Sequence, residues 1–394
     1  MANKVAIVGV GETRFCKRRP DVNQPELVNE AVRAALDDAE LTIKDIDAVF
    51  ASSMEGFEWG HIADHWAVDG SGAYMKPGMR VTSGGNTGAS CFDEAFHFVA
   101  SGLVGTTLIV GYQKQDEGNT QAAISCASGP PIFQSRGIDH LPTGALGPFA
   151  IAAATYIKNS GAKEEHAAMV RLKADRNACR NPHAHLRLGL KTIEEILNAK
   201  ILIWPLRLLD FCPQSCGACA LILAPESKAN KITKKPVWIA DTVCTHQDFF
   251  RAGTFEAEAG EEPYSQEVCA AKLYKRNGIT NPRKEIDMVE IYDPSTWEHM
   301  SLLEHFFWAE KNKGWKMIEM GITEIEGDFP VNPSGGIIAT NAIGASPVVR
   351  IAECALQIRG DAGEHQVTKD VKTAVATALG GKNWTLMTLL KKHL

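Results

Sequence analysis

The 394-residue sequence lacks an excess of positive charge, with 41 Lys and Arg against 47 Asp and Glu and a formal net charge of −6. Its basic stretches are no longer than Lys17-Arg18-Arg19, Lys234-Lys235 and Lys391-Lys392. Phosphate backbones are bound by clustered cations, so no nucleic-acid role is expected. No apolar run reaches the roughly 18 residues that span a bilayer. Met1-Ala2-Asn3-Lys4 passes directly into Val5-Ala6-Ile7-Val8-Gly9-Val10 with no cleavage pattern of a secretory signal, which predicts a cytoplasmic protein without a membrane anchor. Low-complexity sequence is missing, as is any Cys–His zinc pattern. The ten cysteines include Cys126, Cys219 and Cys354 in apolar segments, and read as reduced, buried thiols in place of a disulfide framework. What is present, 45% hydrophobic and 22% charged residues, is the composition of a soluble globular chain long enough for two cores.

The sequence repeats itself. Ser83-Gly84-Gly85-Asn86-Thr87-Gly88-Ala89-Ser90 leads into an amphipathic run to about Ser101, and Ser334-Gly335-Gly336, followed by Asn341-Ala342-Ile343-Gly344-Ala345-Ser346, leads into another to about Arg359. Upstream, Leu41-Thr42 with Asp45-Ile46-Asp47-Ala48-Val49 is echoed by Ile279-Thr280 with Glu285-Ile286-Asp287-Met288-Val289. Two units in the same order predict a duplicated fold whose pseudo-twofold axis brings two helix N-termini together, each with unpaired N–H groups and partial positive charge.

Apolar, branched runs at Val5–Val10, Ala48–Ala51, Thr107–Gly111 and Ala218–Ala224 predict strands, and Glu26–Ala39 has helical periodicity through Leu27, Val28, Ala31, Val32, Ala35 and Leu36. The second half repeats the alternation, with strands at Val237–Ala240, Asp287–Ile291, Ala374–Ala378 and Trp384–Leu390. The pattern predicts an α/β fold with a mostly parallel sheet. Residues 1–234 form the first half and 235–394 the second. The stretch 112–206, rich in Gly, Pro and Ser and holding one helix at Phe149–Ser160, reads as an inserted loop or lid over the site.

Three local signals have ordinary explanations. Cys212-x-x-x-Cys216-x-x-Cys219 has an iron–sulfur spacing, but Cys219 lies inside a buried strand pattern. Gly9-Val10-Gly11 lacks the third glycine of a dinucleotide fingerprint, Arg14 standing there, and reads as a tight turn. His183-Ala184-His185 has no nearby carboxylate or cysteine to complete a metal site. No metal is expected in this chain.

The start Val5-Ala6-Ile7-Val8-Gly9-Val10-Gly11-Glu12-Thr13, the segment Pro205-Leu206-Arg207 leading to Gly217-Ala218-Cys219-Ala220, and Val331-Asn332-Pro333-Ser334-Gly335-Gly336 together resemble the lipid-transfer and archaeal-type branch of the thiolase superfamily, over essentially the whole chain. The resemblance implies two β-α-β halves in five layers (αβαβα), with an inserted loop domain over a coenzyme A tunnel. Familiar thiolases cut a β-ketoacyl-CoA with a nucleophilic cysteine, a histidine and a second cysteine. Carried over, these positions fall on Gly85, near Asn341, and on Ala378 ahead of Gly380-Gly381, so all three identities are absent. Asn332, the Ser-Gly-Gly turns and Tyr292-Asp293, where the branch has His-Asp, remain.

Three readings follow from that departure. In the first, the thiol of free CoA attacks the ketone directly. Gly85 leaves room for its sulfur; the Gly84-Gly85-Asn86 turn and the Asn341 amide stabilise the oxyanion, and Tyr292 or Asp293 moves the proton. The resemblance is greatest to the members acting on (S)-2-benzoylsuccinyl-CoA in anaerobic toluene degradation, implying benzoyl-CoA and succinyl-CoA as products; Trp297, Phe306, Phe307 and Trp308 suit a phenyl pocket or a helix core equally. In the second, Tyr292 is the base of a retro-aldolase acting on a β-hydroxyacyl-CoA. In the third, the chain is a non-catalytic CoA-binding scaffold. Ser334, Gly335, Gly336 and His246 are candidate contacts to CoA or substrate. Each residue also has a plainer role: Tyr292 packing at a strand end, Asp293 capping a helix, Asn86 and Asn341 as turn residues with positive φ, and Cys91 and Cys354 as core. The resemblance further implies a homodimer and a small partner joining a zinc ribbon to an OB fold, which would hold any zinc.

Overall fold

The computed structural model describes residues 3–58, 64–120, 123, 146–247, 263–380 and 384–394. Strand β1 (Val5–Glu12) is followed by helix α1 (Gln24–Asp38), whose entry is set by Asn23: its side chain accepts from Glu26 N–H at 2.9 Å while the Glu26 carboxylate accepts from Asn23 N–H at 2.8 Å. Pro25 in the first turn adds a preset φ. Gly9 and Gly11 lie inside β1 and do not form the tight turn expected of them. A Cβ on Gly9 would stand 2.6 Å from the carbonyl oxygen of Ala35, and one on Gly11 would overlap the Ala31 carbonyl, so these glycines let α1 approach the strand.

The other strands are β2 (Ala48–Ser52), β3 (Gly78–Val81), β4 (Thr107–Gln113), a small β5 (Ile201–Ile203) and β6 (Leu206–Arg207) hairpin, β7 (Gly217–Pro225), β8 (Val237–His246), β9 (Met288–Glu290), β10 (Thr373–Leu379) and β11 (Trp384–Lys391). The main sheet has the order β3-β2-β4-β7-β1-β8-β11-β10-β9. About the β1–β8 seam, β2-β4-β7-β1 mirrors β9-β10-β11-β8, with parallel, antiparallel and antiparallel pairings in the same sequence. The sheet is therefore not mostly parallel. β1–β7, β4–β7, β1–β8, β8–β11 and β10–β11 run antiparallel, since the last strand of each half, β7 or β11, enters between two neighbours in the opposite direction to both.

The duplication extends to hydrogen bonds. Asp47 N–H donates to Thr106 O at 2.7 Å and Asp47 Oδ2 accepts from Thr106 N–H at 2.8 Å. Asp287 and Thr373 make the same two bonds at 2.9 Å each. Between the two half-sheets lie helix α2 (Thr87–Ser101) and the helix Ser346–Arg359, packed on one another and on strands of both halves through Cys91, Phe92, Ala95, Val348, Ile351 and Cys354. Each aliphatic or aromatic side chain buried there contributes on the order of 1.5–3 kcal/mol. With α1 outside one half-sheet and the helix Ser265–Arg276 outside the other, the layers number five.

The described residues of the insertion hold more helix than its composition suggests. It holds Leu146–Ser160, close to the predicted helix, and a 17-residue helix, Glu164–Arg180, that hydrophobic periodicity does not announce. Ser334-Gly335-Gly336 feeds the short helix Gly336–Ala339 and not the central one, which starts at Ser346. Cys126 and Gly381 lie outside the described residues.

Candidate active site

Tyr292 follows β9, and its backbone is pinned on both sides. The Asn332 amide closes two bonds on Ile291, accepting from its N–H at 2.6 Å and donating to its carbonyl at 3.2 Å, while Tyr292 N–H donates to Thr377 Oγ1 at 3.0 Å. Asn332 does this at φ +52°, a conformation Asn tolerates better than most residues. The ring is thereby aimed across the molecule at the Ser83–Asn86 turn. A Cβ built on Gly85 would stand 3.3 Å from the Tyr292 hydroxyl oxygen and 2.5 Å from the Leu379 carbonyl oxygen. The space expected to open when cysteine is replaced by glycine is thus taken by these two groups, since β10 ends against the turn. A thiol entering from solution has to approach beside the hydroxyl and not through the cysteine's former volume.

Tyr292 is 5% exposed, and among the described residues no group hydrogen-bonds its hydroxyl. Burial, then the neighbouring Cys212, raises its pKa well above the ordinary tyrosine value, so the hydroxyl rests protonated, a donor and not a base. Asp293 is committed elsewhere. Its Oδ1 accepts from Ile337 N–H at 2.9 Å, capping Gly336–Ala339, and its Oδ2 pairs with His299 Nδ1 at 2.8 Å. His299 Nε2 lies 3.3 Å from Lys173 Nζ, which also donates to Val331 O at 3.0 Å. Burial and the lysine push His299 down to about 4, and burial pushes Lys173 down to about 8; a neutral ring protonated on Nδ1 satisfies both partners. The next helix, Thr296–His305, is capped by Ser295 and not by Asp293, whose capping contact is to the distant Gly336–Ala339.

Asn341 comes to the same region from the loop before Ser346. Its Oδ1 accepts from Ser346 Oγ at 2.9 Å, its Nδ2 donates to Cys212 Sγ at 3.2 Å, and its N–H donates to Ser215 Oγ at 3.0 Å, which in turn meets His185 Nδ1 at 2.8 Å. Asn86 is fully buried with φ −84°, not the positive value a turn role implied; its Nδ2 donates to Ser90 Oγ at 3.1 Å and its Oδ1 has no partner. Gly84, at φ +66°, faces Gly380, and its carbonyl accepts from Thr87 N–H and Oγ1 at 3.0 and 2.6 Å. His246 stands at the end of β8, its ring 4.1 Å from that of Trp384, whose carbonyl accepts from Gly380 N–H at 2.8 Å. It shares an end of the sheet with the Gly84-Gly85 turn.

Ser334, Gly335 and Gly336 are consumed by packing. Ser334 Oγ donates to Glu290 Oε2 at 2.8 Å and accepts from Arg350 Nη1 at 2.6 Å, Gly335 lies against Ala178, and Gly336 against Asn332 and Asp293. A CoA contact at these three residues would require the interior to open. Trp297, Phe306 and Trp308 are core, in ring contacts with Tyr156, one another and Phe329, whereas Phe307 is 48% exposed; they form no phenyl pocket. Ala378 packs on Ala89 and Leu386, and Cys91 and Cys354 are core. Cys216 Sγ donates to Asp116 at 3.1 Å and His183 Nδ1 lies 3.2 Å from Thr13 O, so neither the three-cysteine nor the two-histidine pattern converges. Among the described residues no group of three His, Cys, Asp or Glu is placed to hold a metal, and no helix is long and apolar enough to cross a membrane. Two participants escaped the sequence reading as site residues: Cys212, dismissed with the iron–sulfur spacing, and His185.

A family profile described as Thiolase C-terminal domain-like matches residues 264–392. An acetyl-CoA acetyltransferase of Methanothermobacter thermautotrophicus is 29% identical over 97% of each chain. The benzoylsuccinyl-CoA thiolase subunit BbsB of Thauera aromatica is 26% identical over 97% of this chain and 96% of that one. The chain belongs to the thiolase superfamily. It falls in the archaeal-type and lipid-transfer branch and is of acyltransferase type. Among solved structures, an Ltp2–ChsH2(DUF35) aldolase aligns with TM-score 0.80 at 23% identity, covering 100% of this chain and 99% of that one. An acetyl-CoA acetyltransferase from Syntrophomonas wolfei aligns with TM-score 0.72 at 15% identity, covering 100% of both. The likeness in these two is one of fold.

Proposed function

We propose that this thiolase-fold chain cleaves a carbon–carbon bond in a β-ketoacyl-CoA by retro-Claisen thiolysis without an acyl-enzyme, the thiol of free CoA attacking the ketone. One observation carries the reading: the position that matches the family's nucleophile is a glycine faced by the protonated hydroxyl of Tyr292, which has no partner among the described residues. A neutral phenol donates to the oxyanion that forms when the sulfur adds to the ketone, and one such donor is typically worth about 3 kcal/mol. The thiolase kinship supports CoA as cosubstrate, and that of BbsB supports an aromatic substrate such as (S)-2-benzoylsuccinyl-CoA.

A retro-aldol reading is favoured by the same free hydroxyl and by the aldolase among the solved neighbours. The raised pKa tells against it, since an aldol base has to be deprotonated. Incubating the protein with a β-ketoacyl-CoA, with and without free CoA, and with the matching β-hydroxyacyl-CoA separates the two. Thiolysis yields two acyl-CoA products only when CoA is added; cleavage of the β-hydroxyacyl-CoA without CoA would replace it by the aldolase. No cleavage of either substrate would leave a scaffold.

The reading extends to assembly and location: a homodimer in the cytoplasm, with a small zinc-ribbon/OB-fold partner, a pairing supported by the DUF35 protein in the aldolase complex. His246 and Gly84 are assigned to the CoA side of the site, and Asn86 to the turn beneath the reacting carbonyl. The two halves are divided at 234/235, just before β8.

A further inference from the structure

Cys212 enters the site from a different element than any of the three expected catalytic positions. Its N–H donates to Pro294 O at 3.1 Å, beside Tyr292-Asp293, and Phe211 bridges to Ser295, so the segment before β7 lies along the stretch that carries the tyrosine. The thiol is gripped by Asn341 Nδ2 at 3.2 Å. A second observation points to a ligand here: the Tyr292 hydroxyl, on a side chain more than nine-tenths buried, has no partner among the described residues and faces Gly85. Cys212 lies near enough to Tyr292 to help raise the pKa of the phenol.

Carbon–carbon cleavage has two proton problems at two places. Tyr292 answers the one at oxygen. The other is at carbon, where the departing acyl-CoA enolate must be protonated. We propose that Cys212 is the proton donor to the α-carbon of that enolate. The CoA thiol releases its proton to water as its sulfur bonds to the ketone carbon and the ketone oxygen takes the electron pair. As the oxygen re-forms its carbonyl, the carbon–carbon bond breaks, its pair becoming the enolate; the Cys212 S–H proton moves to the α-carbon, and the thiolate recovers the proton released by CoA. Burial raises the thiol to about 11, with the Asn341 bond opposing, so it is protonated at neutral pH and ready to act as an acid.

This inference rests on the carbon–carbon cleavage reading, and retro-aldol cleavage would leave the same enolate. The test is exchange of α-hydrogen for deuterium in acetyl-CoA and succinyl-CoA, followed by mass spectrometry in D2O, alongside cleavage assays. The native chain is expected to exchange the label. Cys212→Ala is expected to slow exchange and kcat at least tenfold with the KM for CoA unchanged, and Cys212→Ser to recover part of the loss, both melting within a few degrees of the native protein. Native-rate exchange in Cys212→Ala, or cleavage by the native chain without exchange, would remove Cys212 from the mechanism and leave thiolysis standing. Absence of both exchange and cleavage in the native chain would overturn the function and this inference together.

Discussion

Ser83-Gly84-Gly85 and Ser334-Gly335-Gly336 share three letters but not a place in the fold, the first leading into a central helix and the second into the short helix Gly336–Ala339; the first turn reaches the surface at Gly84 whereas the second is wholly buried. In the first, Ser83 Oγ donates to Ser90 Oγ at 2.7 Å and Gly85 confronts an unpartnered phenol. In the second, the serine is bound into an ion pair between Arg350 and Glu290 that also gathers Glu12, Glu353 and His365. Like letters therefore sit in unlike surroundings: the first turn faces the Tyr292 hydroxyl, and the second is fixed by a buried ion pair.

The contrast breaks most sharply at Arg350. Arg350→Ala strands Glu290 as a buried, uncompensated charge and is expected to lower unfolding free energy by about 3–5 kcal/mol, measured by denaturant titration. Gly85→Cys probes the other turn: restoring the thiol sets a side chain against the Leu379 carbonyl, which costs about 1–3 kcal/mol. It is expected to abolish turnover and to show no acyl group on the introduced thiol by intact mass. Recovery of a covalent acyl-enzyme would show that the first turn still accommodates the familiar nucleophile. Tyr292→Phe keeps the packing and removes the donor, so turnover should fall more than tenfold, a loss of at least about 1.4 kcal/mol in transition-state stabilisation, with unfolding nearly unchanged. A native rate would exclude the hydroxyl.

The mildest change concerns pH. Glu12 is held well above the ordinary carboxylate range by burial and then by Glu353, and Glu290 is raised to about 7 by burial against the pull of Arg350. Native carboxyls raised in this way hold protons that the unfolded chain releases above about 4.5, so stability declines as pH rises from there through neutrality. Glu12→Gln removes one titrating group and should flatten that decline in unfolding free energy between pH 5 and 8. An identical slope would mean Glu12 titrates alike in both states.

Much of the fold was legible because its strands are branched, apolar and separated by helices of clear period, as in Val5–Glu12 and Gln24–Asp38. The helix Glu164–Arg180 was not. Its buried face carries His166, Arg171, Lys173, Asp175 and Asn177, several of which bond to groups far along the chain, such as Ile338 O for Arg171 and Val331 O for Lys173. Polar burial of this kind hides a helix from any hydrophobic count. The parallel sheet was misjudged for a related reason, since strand direction depends on where a chain re-enters and not on its side chains. At the site, the missing thiol at Gly85 and the tyrosine at 292 could be read directly, whereas the structural duties of Asp293 and Ser334 could not.

By itself the sequence determined the duplication, the alternation of strand and helix and the glycine at residue 85, because local periodicity and residue identity are written along the chain. Tertiary structure alone decided that the Tyr292 hydroxyl stands 3.3 Å from where a Cβ on Gly85 would be, that Cys212 meets Asn341, and that the Ser334-Gly335-Gly336 turn is sealed by Arg350 and Glu290. These are meetings of groups up to 207 positions apart, Gly85 with Tyr292 being the farthest (292 − 85), and folding alone brings them within a bond's reach.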